Sequence, residues 1–378
     1  MTNIPFHKPY YDAEDEKAIV ASLRSNKIVG DGEKTKTATE MLKQLLGVKH
    51  VLLTTSCTHA LELAMMALDL KPWDEVIVPS FTFVSTTNCV LRQGAKVVFV
   101  DIKPDTLTID VDDVIRKITG KTRAIIPVVY AGVSPDLDEL LGIARKDNII
   151  VVEDAAQAIG AGYKGKPQGT IGDMGAFSFH ETKNFSTGEG GAFVTNSDNF
   201  ALRAEIIREK GTNRKQFVLG LVDKYSWVDV GSSYLPSDLQ AALLISQLNK
   251  MKFIQKRREE IHNRYMGVFT RLAQDGKLIL PTIPVHTTSN YHIFYVLMRD
   301  EATRNAALSF FRSKGIGTTF HYLPLHLSPV GVNKLGGKPG DFPVTESVSG
   351  RLLRLPIYPS LTDVEQDYVI DSMKEFLR

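Results

Sequence analysis

Cysteine and net charge are both scarce in this sequence. Its 378 residues include only two cysteines, Cys57 and Cys89, which are too few for a disulfide framework or an all-cysteine metal site. The 45 lysines and arginines nearly balance the 43 aspartates and glutamates, for a formal charge of +2 at pH 7. Such a balance gives no field that would attract nucleic acid or an acidic membrane. We therefore expect neither of them as a partner.

Long apolar runs are also missing. The N-terminal residues 1–9 lack the apolar core of a signal peptide, and a run such as 124–133 is far too short to span a bilayer. Hydrophobic residues make up 43% of the chain and charged residues 23%, which is ordinary for a globular protein. The sequence predicts a soluble cytoplasmic protein that is long enough for two domains with separate cores.

Short β-branched runs alternate with longer helical patterns through the first two thirds of the chain. Strands are predicted at 51–53, 75–78, 96–100, 124–129, 149–152, 176–179 and 192–195. Helices are predicted at 58–68, 85–93, 111–118, 137–146 and 201–210. Several strands are apolar throughout, which is typical when helices cover both faces of a sheet. The alternation predicts an α/β fold with a mainly parallel sheet, where ligands bind beyond the carboxyl ends of the strands.

The pattern changes after Pro236. Residues 237–272 are predicted to form one long helix with Ser237 as its N-cap, and the charged cluster 256–260 is expected to be a solvated face. The prediction continues with a strand near 292–298, a helix near 301–314, a strand near 317–320 and a last helix from about Asp363. We therefore predict a large domain of residues 1–245 and a smaller α/β domain of residues 246–378.

Lys183 lies just beyond the strand-like run 176–179 and shortly before the glycine-rich turn 188–191. A fixed, partly desolvated amine condenses with a carbonyl near neutral pH, whereas an isolated loop lysine is usually only solvated. Upstream, Asp154 follows a predicted strand, and Gln157 comes shortly after it. Together these residues suggest a pyridoxal 5'-phosphate (PLP) site, with Lys183 as covalent tether, Asp154 facing the pyridine nitrogen and Gln157 bonding the ring hydroxyl. The alternative is a helix N-cap at Asp154 with a capping box to Gln157.

A phosphate site is predicted where strand 51–53 runs through Ser56, Cys57 and Thr58 into a helix. The N-terminus of a helix offers free amide hydrogens and a positive dipole end, which suit a phosphate dianion. Ordinary helix capping by serine or threonine is the alternative. Ser178 could add another hydroxyl, or it is simply a strand serine.

Phe81 and Phe83 offer a flat partner for the PLP ring. In a strand these two residues would share one face, so a core aromatic is the alternative for each of them. The histidine pair His321 and His326 lies on a predicted loop and does not form a convincing metal site, so no metal is predicted. His292 is expected to be a packed histidine.

The chain resembles the DegT–DnrJ-type nucleotide-sugar aminotransferases nearly from end to end. The resemblance covers residues 29–32, 56–58, 79–86, 153–157, 178–191 and 231–242. It implies the PLP-dependent aspartate-aminotransferase fold (fold type I), with a mainly parallel seven-stranded sheet in the large domain and a smaller C-terminal α/β domain. It implies the roles given above for Lys183, Asp154 and Gln157. It also implies that Cys57 and Thr58 hold the phosphate with Ser178, and that Phe83 stacks on the ring.

The resemblance extends to a partner subunit and to the substrate. Ser233 falls where many relatives have an asparagine that reaches the phosphate of the neighbouring subunit, which implies a homodimer with shared active sites. Residues near the substrate would be Gly30, Asp31, Gly32, Lys210, Arg214, His321, Tyr322 and His326. For Lys210 and Arg214, which could meet a diphosphate or a carboxylate, ordinary surface charge is the alternative.

The implied reaction is transfer of an amino group from L-glutamate to C4 of a dTDP-4-keto-6-deoxyhexose, which gives dTDP-4-amino-4,6-dideoxygalactose for surface polysaccharides. Segments 179–184, 209–214 and 231–235 carry the likeness to transaminases that make this sugar. Alternatives are a transaminase for another nucleotide-linked keto sugar (at C3 or UDP-linked) and a non-catalytic PLP-binding regulator. A PLP-dependent sugar dehydratase is less favoured, because such relatives generally replace the lysine with histidine and this chain keeps Lys183.

Overall fold

A computed structural model describes residues 3–378 of the chain. The strands are β1 (His50–Thr54), β2 (Glu75–Pro79), β3 (Lys96–Val100), β4 (Thr122–Ile125), β5 (Ile150–Asp154), β6 (Gly162–Tyr163), β7 (Lys166–Pro167), β8 (Met174–Ser178), β9 (Gly191–Thr195), β10 (Thr287–Thr288), β11 (Phe294–Leu297) and β12 (Leu352–Leu355). The helices are α1 (Ala13–Arg24), α2 (Glu33–Leu46), α3 (Cys57–Leu68), α4 (Val84–Leu91), α5 (Val111–Lys117), α6 (Leu137–Lys146), α7 (Asp198–Arg208), α8 (Arg214–Val218), α9 (Asp238–Asn249), α10 (Met251–Gln274), α11 (Glu301–Ser313), α12 (Pro329–Leu335), α13 (Pro343–Arg351) and α14 (Asp363–Phe376). A short 3₁₀ helix covers Leu325–Leu327. In this described part of the chain, no helix is both long enough and apolar enough to cross a membrane.

The main sheet has seven strands in the order β1-β9-β8-β5-β4-β2-β3. Neighbours from β8 to β3 pair in parallel, whereas β9 pairs antiparallel with both β8 and β1. Every residue of β2, β8 and β9 is buried, because helices pack on both faces of the sheet. The predicted α/β fold with a mainly parallel seven-stranded sheet is therefore confirmed.

The single helix predicted at 237–272 is wrong in its continuity, because two helices, α9 and α10, occupy this stretch. They meet at Lys250, whose backbone angles (φ −94°, ψ 4°) leave the helical region. Its ammonium lies 2.8 Å from the Asp12 carboxylate and also pairs with Asp15, so the break coincides with an anchor to the N-terminal helix α1. Ser237 forms a capping box at the start of α9, as its predicted N-cap role requires.

The predicted strand near 317–320 is also wrong. This stretch makes only isolated bridges, Ile4 with Ile316 and Thr319 with Arg354. The partner of β11 is instead β12, and they form an antiparallel two-stranded sheet. A small sheet of order β10-β6-β7 was not expected, because two-residue strands leave no periodic signal in the sequence.

The C-terminal part of the chain has its own hydrophobic core. It includes Tyr265 and Phe269 of α10, Phe294 of β11 and, from the other end of the chain, Ile4. The Tyr265 hydroxyl donates to the backbone oxygen of Pro356 at 3.0 Å, which ties α10 to the segment after β12. The division of the chain at residue 245 remains a prediction.

Candidate active site

A cavity of about 350 Å³ opens beyond the carboxyl ends of β5 and β8. The end of each strand contributes one polar side chain, Asp154 from β5 and Ser178 from β8. The C-terminal core faces this sheet edge and supplies the opposite wall. The cavity brings together ten of the predicted residues: Ser56, Cys57, Thr58, Phe83, Asp154, Gln157, Ser178, Lys183, His321 and Tyr322.

Lys183 lies in a turn that follows β8. Its backbone N–H donates to the His180 oxygen at 2.9 Å, and the N–H of Glu181 donates to the Gly188 oxygen at 2.8 Å. These bonds close the turn and direct the lysine side chain into the cavity, among whose lining residues it lies. Desolvation lowers the pKa of Lys183, against the opposing influence of Cys57 and Asp154. A lowered pKa makes the neutral, nucleophilic amine more accessible at physiological pH.

Asp154 is fixed at the end of β5 by two hydrogen bonds. The Thr86 hydroxyl donates to its Oδ2 at 2.7 Å, and the backbone N–H of Ala156 donates to its Oδ1 at 3.2 Å. Burial raises the pKa of Asp154, although both donors and Lys183 act in the opposite direction. A turn rather than a helix follows Asp154, so neither the N-cap nor the capping-box alternative occurs here.

The preceding residue, Glu153, points to the opposite face of β5, as strand alternation requires. Its carboxylate accepts hydrogen bonds from the backbone N–H groups of Gly169, Ile171 and Gly172, each at 2.7 Å. Glu153 thus holds a loop in place, whereas Asp154 faces the cavity. The alternation of side chains along β5 therefore gives these two adjacent buried carboxylates different roles.

Gln157 connects the sheet side of the cavity with its opposite wall. Its Oε1 accepts from the backbone N–H of Ala131 at 2.7 Å, and its Nε2 donates to the Tyr322 hydroxyl at 3.1 Å. The amide orientation is therefore fixed, and one N–H remains for another acceptor.

The N-terminus of α3 forms the floor of the cavity. Ser56 is its N-cap, and its side chain accepts from the N–H of His59 at 3.1 Å. The Thr58 and Ser85 hydroxyls are 2.7 Å apart, which links α3 to the start of α4. Burial raises the pKa of the Cys57 thiol well above its ordinary value, so the thiol stays protonated. The first-turn backbone N–H groups, rather than a thiolate, are therefore the groups suited to an anion here.

Gly191, the first residue of β9, is required by close packing against this helix terminus. A Cβ at this position would lie 2.4 Å from the carbonyl carbon of Ser56 and 2.5 Å from the nitrogen of Cys57. Because both contacts are to backbone, neither can move aside without shifting the loop.

Of the two aromatic candidates, only Phe83 lines the cavity. Its side chain is 56% exposed, whereas Phe81 is 1% exposed and packs against Tyr130 with ring centroids 5.2 Å apart. The expectation that both share a strand face is wrong, because β2 ends at Pro79 and the two residues lie in the following loop.

Several predicted substrate residues lie elsewhere. Gly30, Asp31, Gly32 and Arg214 line a second cavity of about 720 Å³, in which the Arg208 guanidinium donates to Asp31 at 2.9 Å. Lys210 and Ser233 lie outside both cavities. The backbone N–H of Lys210 donates to the backbone oxygen of Ser232, and Ser233 forms an isolated antiparallel β-bridge with Glu209.

His326 also lies outside both cavities and is fully buried. Its Nδ1 lies 2.7 Å from the Ser80 hydroxyl, and its Nε2 lies 3.1 Å from a Glu346 oxygen. These contacts join the end of β2 to α13, so His326 stabilises the fold at this point and does not face the cavity.

No sequence pattern indicates that Phe6, His7, Arg258 and Arg354 also line the cavity. Arg258 corrects the expectation that the 256–260 cluster is a solvated face, because its side chain is 2% exposed. It donates to the backbone oxygens of Tyr291, at 3.0 Å, and His292. Burial lowers the pKa of Arg258 to about 9. His292 is buried, as expected, and also lines the cavity.

The cavity offers each group that PLP requires. A desolvated amine, a buried carboxylate, a helix N-terminus and an exposed aromatic ring all meet there, from Lys183, Asp154, α3 and Phe83. The Asp154 carboxylate and the Lys183 amine line the same cavity without forming a direct ion pair.

Comparisons with known proteins agree with this geometry. The family model described as the DegT/DnrJ/EryC1/StrS aminotransferase family matches residues 9–374. The uncharacterized protein MJ1066 of Methanocaldococcus jannaschii is 39% identical, over 99% of this chain and 97% of its own length. The spore coat polysaccharide biosynthesis protein SpsC of Bacillus subtilis is 34% identical, over 99% of this chain and 97% of its own length.

A solved structure is similar over the whole chain. The PLP form of the putative sugar aminotransferase Spr1654 from Streptococcus pneumoniae superposes with a TM-score of 0.92 at 29% identity, covering 100% of this chain and 99% of that one. The chain therefore belongs to the DegT/DnrJ/EryC1/StrS aminotransferase family, and it is a PLP-dependent sugar aminotransferase.

Proposed function

We propose that this enzyme transfers the amino group of L-glutamate to C4 of a dTDP-4-keto-6-deoxyhexose and so makes dTDP-4-amino-4,6-dideoxygalactose. The single observation that carries the chemistry is the desolvated Lys183 amine in one cavity with the buried Asp154 carboxylate. The choice of sugar is supported by segments 179–184, 209–214 and 231–235, which resemble transaminases that make this product. The name of SpsC favours use of the product in a surface polysaccharide, such as a lipopolysaccharide.

In this proposal, Lys183 holds PLP covalently and Asp154 faces its pyridine nitrogen. A carboxylate in that position stabilises the protonated nitrogen, and bound PLP then supplies an electron sink for the carbon that loses a proton. Gln157 directs its remaining N–H at the ring hydroxyl, and Phe83 covers one face of the ring. The phosphate is held by Ser56, Cys57, Thr58 and Ser178.

Lys183 also moves the proton between the two carbons that flank the transferred nitrogen. This role requires that the amine is neutral for part of the cycle, which its lowered pKa supports. Desolvation serves both purposes, since it favours the nucleophilic form and keeps bulk water away from the transferred proton. Because the enzyme takes the amino group from L-glutamate and releases the keto acid before the keto sugar reacts, ping-pong kinetics are expected.

The substrate assignment is tested by offering the enzyme L-glutamate and a panel of keto sugars that differ in nucleotide and in ketone position. We expect dTDP-4-keto-6-deoxyhexose to gain nitrogen, with the galacto configuration at C4 shown by NMR coupling constants. Preferred amination of a UDP-linked or C3-keto sugar would reassign the substrate. Stoichiometric PLP binding with no turnover of any sugar would favour the non-catalytic regulator.

We further propose that the enzyme works as a homodimer with shared active sites. The segment 217–230 exposes many large apolar side chains, more than a monomer normally leaves in water. They are Phe217, Val218, Leu219, Leu221, Tyr225, Trp227, Val228 and Val230. The second cavity adjoins this segment, so a partner subunit covering it would meet Asp31 and Arg214.

The dimer proposal predicts that Trp227→Glu shifts the enzyme to monomer and lowers turnover. Trp227 is 75% exposed, so a charge there disrupts a subunit contact without disturbing a core. Sedimentation velocity measures the mass, and Trp73→Glu is the matched control because Trp73 is 65% exposed outside this segment. A fully active wild-type monomer would refute the proposal.

A further inference from the structure

Arg354 extends from β12 into the active cavity. Its neighbours Leu353 and Leu355 are buried in the C-terminal core, so strand alternation turns Arg354 the other way. The backbone is fixed by pairing with Tyr295 of β11 on one side and by a 2.8 Å hydrogen bond to the Thr319 oxygen on the other. The guanidinium is thus presented to the cavity by a rigid element.

The Arg354 guanidinium has no acidic partner within residues 3–378, where none of the ion pairs includes it. Its buried Nε has no hydrogen-bond partner within residues 3–378, and the guanidinium lies over the face of the Phe6 ring, 4.7 Å from the centroid. A desolvated cation without an anion is unfavourable, and desolvation lowers the pKa of Arg354 accordingly. A bound anion would relieve this cost.

The other charged groups around Arg354 favour an anion as well. Desolvation is the main cause of the lowered pKa of Lys183 and of His321, and the positive charge of Arg354 acts in the same direction on both. Arg258, the second arginine of the cavity, uses two of its donors on backbone oxygens, whereas the Arg354 side chain makes no hydrogen bond within residues 3–378. Arg354 therefore has its full set of guanidinium donors available to a ligand in this cavity.

We propose that Arg354 binds the α-carboxylate of the amino-acid donor, through paired N–H donors of its guanidinium. In an α-amino acid this carboxylate is bonded directly to the carbon that gives up nitrogen, so it must lie beside Lys183. In a nucleotide sugar the diphosphate is attached across the ring from the ketone, so it lies farther from the lysine. The position of Arg354 near Lys183 thus favours the carboxylate. This inference rests on the proposed amino transfer.

The test uses the PLP-loaded enzyme and measures its two half-reactions separately. For Arg354→Gln, we expect the L-glutamate concentration at half-maximal single-turnover rate to rise about 10- to 100-fold, the loss expected for a charge-assisted hydrogen-bonded contact. Arg354→Lys keeps the positive charge but lacks the paired N–H donors of a guanidinium, so it should recover part of this loss. Calorimetric binding of glutarate, an unreactive dicarboxylate, should weaken in parallel. Amino transfer to the keto sugar should change far less.

Arg351→Gln is the matched control, because Arg351 is near Arg354 in sequence but donates to the Met298 oxygen outside the cavity. Unchanged glutamate saturation and glutarate binding in Arg354→Gln would overturn the inference. A selective loss in the sugar half-reaction would instead assign Arg354 to the diphosphate. If the wild-type enzyme binds PLP yet takes nitrogen from no amino acid, the proposed function itself fails.

Discussion

Lys183→Ala is expected to abolish the visible absorbance of lysine-bound PLP and to slow amino transfer by roughly 10³-fold or more, since it removes both a covalent tether and a proton carrier. The fold should persist. The lysine side chain projects into a cavity rather than into a packed core, and the turn that carries it is closed by backbone bonds that alanine keeps. Absorbance spectroscopy and single-turnover assays measure the loss, and circular dichroism tests the fold.

Lys166→Ala is the control for this variant, because Lys166 is exposed on β7, away from the cavity. It should retain the spectrum and the rate of the wild-type enzyme. Full activity of Lys183→Ala, or a borohydride-trapped adduct on another lysine, would contradict the assignment of the tether.

Asp154→Asn is expected to lower turnover by roughly 10²- to 10³-fold while PLP remains bound, because the amide cannot stabilise a protonated pyridine nitrogen. The substitution keeps the shape of the side chain. The amide oxygen can still accept from the Ala156 N–H, and the Thr86 hydroxyl can turn to accept from the amide NH₂ group, so stability should change little. The spectrum of the bound cofactor and the rate of each half-reaction are the measurements.

Glu153→Gln provides the contrasting control on the adjacent residue. Both carboxylate oxygens of Glu153 accept from backbone N–H groups in the wild-type protein. An amide has only one oxygen, so the NH₂ group of the substituted side chain would face at least one of these N–H donors and leave it without an acceptor. We expect a loss of about 2–3 kcal/mol in the free energy of unfolding, with turnover per folded molecule retained. If Asp154→Asn is the destabilised variant and Glu153→Gln the inactive one, the roles assigned to this pair are reversed.

The sequence was sufficient to predict features that depend on local pattern. The apolar runs of the main sheet were recognisable because both faces are buried, and Lys183 and Asp154 because each follows such a run. Arg354 gave no signal, since its function depends on the absence of a carboxylate around it in space. The charged cluster favours a solvated Arg258, because such clusters are usually exposed, and only tertiary packing buries this side chain against the Tyr291 backbone oxygen.

Substrate residues were harder to predict for a related reason. Tyr322 and His326 lie close together in sequence, yet one lines the cavity and the other is buried between Ser80 and Glu346. His326 lies within the 3₁₀ helix Leu325–Leu327, and no periodic pattern in the sequence predicts this turn.

The packing of Ile4 against the C-terminal core determines whether the second half of the chain can be produced as a separate fragment. Ile4 donates to Gly315 at 2.9 Å and accepts from Gly317 at 2.8 Å, while its side chain completes the C-terminal core. A fragment containing only the second half would lack Ile4 and would expose the apolar residues that pack against it. The two halves are thus linked by two crossings of the chain, and the first crossing passes Phe6 and His7, which line the cavity.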